Sequence, residues 1–152
     1  MSVEKPDAVE IFISYAHEDE LFVSELNKHL STLRRQGMIT SWYDRDIAAG
    51  EAWSEEINTR LNRAALILFL ISADFINSDY CYDVELKRAI ERQSRQEAWV
   101  IPIIVRPCDW KGTPFAHLQA LPDGSKAVSK WSDRDEAFLN IIRGIRGVLS
   151  RL

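Results

Sequence analysis

The chain has little that could serve redox or metal chemistry. Of its 152 residues only Cys81 and Cys108 are cysteines, they form no CxxC pair, and the histidines His17, His29 and His117 are scattered. That pattern excludes a disulfide framework and a recognisable metal site, and free thiols fit a reducing compartment. Long apolar runs are missing as well: the longest, Ala65 to Ile71, is far too short to span a bilayer, and Met1 to Glu10 lacks the charged start and apolar stretch of a signal peptide. The cytoplasm is the expected location. No block of like charge occurs, and a formal net charge of -4 argues against nucleic acid or an anionic membrane as the main partner. Repeats and low-complexity segments are absent. What is present is ordinary globular composition, 46% hydrophobic and 28% charged. The length fits one domain over residues 1–152 with a true core, and residues 1–8 are expected to be a flexible N-terminal segment.

Along the chain, strands and helices alternate with short links. Val9 to Ser14 reads as a first strand, followed by the acidic turn Glu18-Asp19-Glu20, which complements a helix N-terminus, and by Phe22, Leu26, Leu30 and Leu33 at helical spacing up to a cap at Gly37. Met38 to Tyr43 is a second strand, residues 44–52 a polar loop, and Trp53 to Leu61 a short helix. Ala65 to Ile71 forms a third strand without polar alternation, and Trp99 to Val105 a fourth, interrupted by Pro102, which forces a bulge or an unpaired side there. Thr113-Pro114 predicts a short helix to Leu121, Lys126 to Ser129 a fifth strand, and Ser132 the cap of a last helix with an apolar stripe from Phe138 to Leu152. The expected class is α/β: a flavodoxin-like three-layer fold with a five-stranded parallel sheet in order 2-1-3-4-5. Ligands of such sheets bind outside the carboxyl ends of the strands. That edge gathers Ser14 to His17, Asp44 to Asp46, Ser72 to Asp74 and Arg106 to Trp110.

Glu85 stands out on the helix that follows the third strand. At about 100° per residue, Asp83, Lys87 and Glu91 form a solvated stripe, Leu86 and Ala89 lie opposite, and Glu85 falls beside the apolar face. A carboxylate there loses hydration, so it is either paired within the fold, with Arg88 three residues on as the simple partner, or kept for a ligand at the edge of a cleft.

Four segments in order carry a family resemblance: Phe12-Ile13-Ser14-Tyr15, Asp44-Arg45-Asp46-Ile47-Ala48-Ala49-Gly50, Ser72-Ala73-Asp74-Phe75, and Ser78-Asp79-Tyr80-Cys81 ahead of Glu85-Leu86. Together they resemble the Toll/interleukin-1 receptor (TIR) domains over nearly the whole chain, bacterial members more closely than animal receptor tails. The resemblance implies an activity. Bacterial and plant TIR domains, and some animal ones, cleave the nicotinamide–ribose bond of NAD+, giving nicotinamide and ADP-ribose or a cyclised form, with one glutamate from the helix after the third strand. Glu85 matches that position. No cofactor is implied beyond NAD+ as substrate, and no metal. The same resemblance implies substrate contacts at Ser14, Tyr15, His17, Asp44, Arg45, Trp53, Tyr80, Cys81 and Tyr82. It also implies self-association with other TIR domains through Arg45, Asp46 and Gly50, in an immune or stress signalling system whose proteins often carry further domains.

The sequence departs from the family at two places. The common form is Trp-Cys-x-x-Glu, whereas three residues separate Cys81 from Glu85, so strict counting puts Val84 in the catalytic place. Glu85 is retained because Glu-Leu matches downstream, and the aromatic partner is Tyr80 or Tyr82. Ala16-His17 stands where some members carry arginine. Two other readings are a non-catalytic TIR adaptor, which needs no carboxylate beside the apolar face, and a receiver-like phospho-switch. The second would need an acidic pair after the first strand and an aspartate ending the third, where this chain has Ser14-Tyr15 and Ile71-Ser72.

Overall fold

The computed structural model describes residues 8–43 and 53–152, with the side chains of 53 and 54 outside the description. Four parallel strands form one sheet in the order β2-β1-β3-β4: β1 is Val9–Ser14, β2 Ile39–Trp42, β3 Leu66–Ile71 and β4 Trp99–Ile104. Their register is continuous, with Ile11 opposite Leu66, Phe12 opposite Ile67 and Leu68 opposite Ile101. Every residue of β3 is buried. Its odd and even positions feed two cores, as expected for a sheet covered on both faces. Ile11, Ile13, Leu66, Leu68, Leu70, Ile101 and Ile103 pack under α1 (Glu20–His29), α2 (Ser31–Arg35) and α6 (Arg134–Leu149). On the opposite face Phe12, Ile67, Phe69, Ile71 and Ile104 meet α3 (Trp53–Arg63), α4 (Ala73–Asn77), a π-helical turn (Tyr80–Leu86) and α5 (Lys87–Ser94).

Local chemistry sets the boundaries. Gly37 takes φ +72°, a left-handed angle that glycine adopts without Cβ strain, and closes α2 through Gly37 N–H to Arg34 O and Met38 N–H to Leu33 O. The cap of α6 falls on Asp133, one residue beyond the expected Ser132, and its carboxylate accepts from Asp135 N–H at 2.9 Å. An acidic cap also complements the helix dipole.

The expected fifth strand is absent among the described residues. Val128–Lys130 is a 3-10 turn, and Leu121 makes a single parallel bridge to Ile103. Pro102 explains much of this. Its carbonyl accepts from Leu121 N–H, away from β3, so its missing donor faces the same outer side. The other outward donors of β4 are already engaged, Val100 N–H by Gln93 Oε1 at 3.0 Å and Ile104 N–H by Leu121 O at 2.9 Å. The register with β3 runs unbulged through Pro102, and on the outer side the residue lacks a donor while its carbonyl is held by Leu121 N–H. The helix expected from Thr113 to Leu121 is instead a series of turns, with Phe115, Ala120 and Leu121 buried. Leu121 is held between β4 and Gly144 of α6, where a Cβ would come within 2.6 Å of a leucine methyl.

Candidate active site

The carboxyl ends of β1 and β2 open onto a small recess lined by Phe12, Ile13, Ser14, Tyr15, Trp42, Ile57 and Glu85. Ser14 is almost fully buried there, and its hydroxyl has no hydrogen-bond partner among the described residues. Glu85 is also buried, at 6% exposure. Glu85 thus shares the recess with Phe12, Trp42 and Ile57 at the edge where open parallel sheets bind ligands. Arg88 does not hold it: its guanidinium goes to Asn62 Oδ1 at 2.6 Å and to Glu91 at 3.0 Å.

The turn that carries Glu85 is π-helical, where the sequence pattern after the third strand predicts a helix of regular 100° period. A π turn closes i to i+5 and so contains one more residue than an α turn. That pitch leaves Cys81 and Glu85 both on the interior side with three residues between them. Of those three, Asp83 is exposed and Val84 lies 45% exposed. Val84 is thereby ruled out as occupant of the recess. Two bonds seat the turn. Ser78 Oγ accepts from Cys81 N–H at 3.2 Å, and Cys81 Sγ donates to Tyr15 O at 3.4 Å, joining the turn to the end of β1.

Tyr80 is electrostatically coupled to Glu85. Burial pushes its phenol above the ordinary tyrosine value, and the charges of Glu85 and then Cys81 push it further the same way. Its hydroxyl therefore stays protonated well past neutral pH. Because the folded value lies above the unfolded one, the associated stability is fully present below about pH 10 and is lost as pH rises above it. In Glu85→Gln the phenol should titrate part of the way back toward its ordinary value. Difference spectrophotometry against Tyr80→Phe measures this, and an unchanged Tyr80 titration would separate the two residues.

A second cluster, less visible in the sequence, links three loops of the same edge. Asp19, in the acidic turn after β1, is 1% exposed. One of its oxygens accepts from Ser72 Oγ and the other from Arg106 Nε at 2.8 Å, while Arg106 Nη2 reaches Asp74. Ser72 also caps α4 by accepting from Phe75 N–H at 3.1 Å.

Of the residues singled out in the sequence, Ser14 and Tyr15 line the recess with Glu85; Cys81 adjoins it through Tyr15, and Tyr80 through the charge of Glu85. Tyr82 is half-buried and packs on the α3 side of the core, and His17 is exposed in the turn after β1. Asp44, Arg45, Asp46 and Gly50 lie outside the described residues, as does the side chain of Trp53 at the start of α3. Trp42 and Ile57 line the recess without having been singled out. Trp42, the last residue of β2, stacks on Phe12 with ring centroids 5.5 Å apart, and its place at a strand's carboxyl end was the available signal. Among the described residues no group of three or more His, Cys, Asp or Glu side chains could hold a metal ion, and no helix is long and apolar enough to cross a membrane.

Comparison with known proteins bears on this arrangement. The chain is 49% identical over 142 residues to the uncharacterised protein y4lF of Sinorhizobium fredii, covering 93% of this chain and 44% of the relative. It is 30% identical over 71 residues to human Toll-like receptor 1, covering 47% of this chain and 9% of the receptor. The chain thus spans less than half the length of either relative. Among solved structures, the TIR domain of the Toll-related receptor TRR-2 from Hydra magnipapillata superposes with a TM-score of 0.60 at 27% identity, over 90% of this chain and 97% of that one. The TIR domains of the activated Roq1 resistosome superpose with a TM-score of 0.70 at 16% identity, over 91% of this chain and 99% of that one, a likeness of fold. The TIR domain family matches residues 11–140. Together with the parallel sheet, this match over most of the chain identifies it as a member of the TIR domain family.

Proposed function

We propose that this TIR domain cleaves NAD+ at the nicotinamide–ribose bond, with Glu85 as the catalytic residue, and acts in the cytoplasm as part of a bacterial immune or stress signalling system. The observation that carries the reading is a buried glutamate that shares a small recess with Phe12, Trp42 and Ile57 at the ligand-binding edge of the sheet, beside a buried Ser14 hydroxyl without a partner among the described residues. In such surroundings a negative charge interacts strongly with a cation developing next to it. As the glycosidic bond breaks, its electron pair leaves on the nicotinamide ring nitrogen and the ribose becomes oxocarbenium-like. Glu85 offsets that charge and can accept a hydrogen bond from a ribose hydroxyl, as carboxylates do in related glycosyl transfers. Water then adds to give ADP-ribose, or the adenine of the same molecule adds to give a cyclic product. The non-catalytic adaptor remains the competing reading.

The deciding experiment is incubation of concentrated protein with NAD+ and chromatography of the products. Release of nicotinamide supports the enzyme and its absence at every concentration supports the adaptor. Assembly is part of the proposal: the loop containing Arg45, Asp46 and Gly50 docks head to tail on a neighbouring TIR domain and helps complete its site, a contact able to grow into open filaments. Specific activity should then rise with protein concentration, and Arg45→Glu or Gly50→Pro should remove the rise while sparing the fold. Flat specific activity in parent and variants alike would give each chain a complete site.

A further inference from the structure

Resting on Glu85 as the reacting carboxylate, we propose that Asp19 and Arg106 are positioning residues that hold the turn after β1 against the turn that carries Glu85. The geometry forms a continuous path. Arg106, just beyond β4, bridges Asp19 in the 3-10 turn His17–Asp19 and Asp74 in the first turn of α4. Ser72, at the end of β3, ties Asp19 to the cap of α4. The chain segment before Asp19 includes Tyr15, whose carbonyl receives Cys81 Sγ, and the segment after α4 leads directly into the π turn. Every loop of this half of the edge is thus anchored to one buried carboxylate.

The charge balance makes the device sensitive. Asp19 has a side chain 0% exposed and Arg106 one 35% exposed, so the cation screens a carboxylate that water does not reach. Removing Arg106 leaves an uncompensated buried charge, which is costlier than removing both partners. Swinging Asp19 toward solvent relieves that cost and draws the Tyr15 carbonyl off Cys81. Neutralising Asp19 as well removes the reason to move.

Thiol alkylation of Cys81 reads this motion directly and needs no activity. In a Cys108→Ser background, Arg106→Ala should raise the rate of Cys81 modification by N-ethylmaleimide about tenfold or more. Adding Asp19→Asn should return it to within about threefold of the parent. Ile145→Val, in the core on the other face of the sheet, serves as control for general loosening and should stay within about threefold of the parent rate. Should Arg106→Ala not fold, Arg106→Lys keeps the charge but not the planar fork, and an intermediate rate is expected. Parent-like labelling in the Arg106 variant that folds, or a double variant as reactive as Arg106→Ala, would overturn the proposal. With NAD+, kcat of Arg106→Ala should fall about tenfold while KM moves less than about threefold, the pattern of misplaced transition-state contacts; a loss confined to KM would also overturn it. A parent protein that releases no nicotinamide refutes the proposed function, whereas the labelling comparison still judges the clamp.

Discussion

Glu85→Gln is expected to remove nicotinamide release, by about a thousandfold or more, while shifting the melting temperature little. The loss corresponds to roughly 4 kcal/mol of transition-state stabilisation. Glutamine keeps the shape of the side chain and removes only the charge, and a neutral amide is easier to bury than a carboxylate. Two comparators make the result specific. Asp83→Asn should be nearly silent, because Asp83 is exposed. Adding Val84→Glu to Glu85→Gln should not restore activity, because Val84 points outward at 45% exposure. Measured turnover at saturating NAD+ with concentrated protein decides it. Undiminished activity in Glu85→Gln, or rescue by Val84→Glu, would move the reacting carboxylate elsewhere.

The largest loss of stability should come from Arg92. Its guanidinium is buried and donates to Leu61 O at 2.7 Å, Ala64 O at 2.6 Å and Glu97 O at 3.2 Å, closing the end of α3 onto α5. Burial lowers its affinity for the proton, and Glu97 partly offsets that. Arg92→Met keeps much of the stem but strands three carbonyls, at a cost of about 3 kcal/mol or more. For a chain of this length that is a fall of roughly 10 °C in Tm. Arg92 lies about 10 Å along the helix from Glu85, so activity per folded molecule should hold. Thermal unfolding monitored by circular dichroism gives the answer, and a change under about 3 °C would mean that water replaces the guanidinium at no cost.

The strands and main helices were legible because apolar periodicity reports burial directly, and β3 reads as a core strand from its composition alone. Glu85 was legible for the same reason: a carboxylate beside the apolar face of a helix contradicts its surroundings. The π turn was not, since a fixed 100° period cannot register a local change of pitch. The burial of Arg92 and of Asp19 was not legible in the sequence. Each resembles its neighbours in sequence, Arg88 and Arg95 in one case, Glu18 and Glu20 in the other, and only tertiary packing separates the buried member from the exposed ones. The fifth strand failed on backbone chemistry, because pairing along β4 would have required the donor that Pro102 lacks.

That same strand has a bearing on how copies of the domain can meet. An open edge in a hydrophobic parallel sheet is a template on which another chain can add a strand, and proteins that concentrate in cells suffer from such templates. Along β4 the amide of Val100 is occupied by a glutamine side chain, that of Ile104 by Leu121, and position 102 has none. The border is sealed without a covering strand. Sheet extension along β4 is therefore disfavoured, and for the assembly proposed above any contact on that flank falls to side chains.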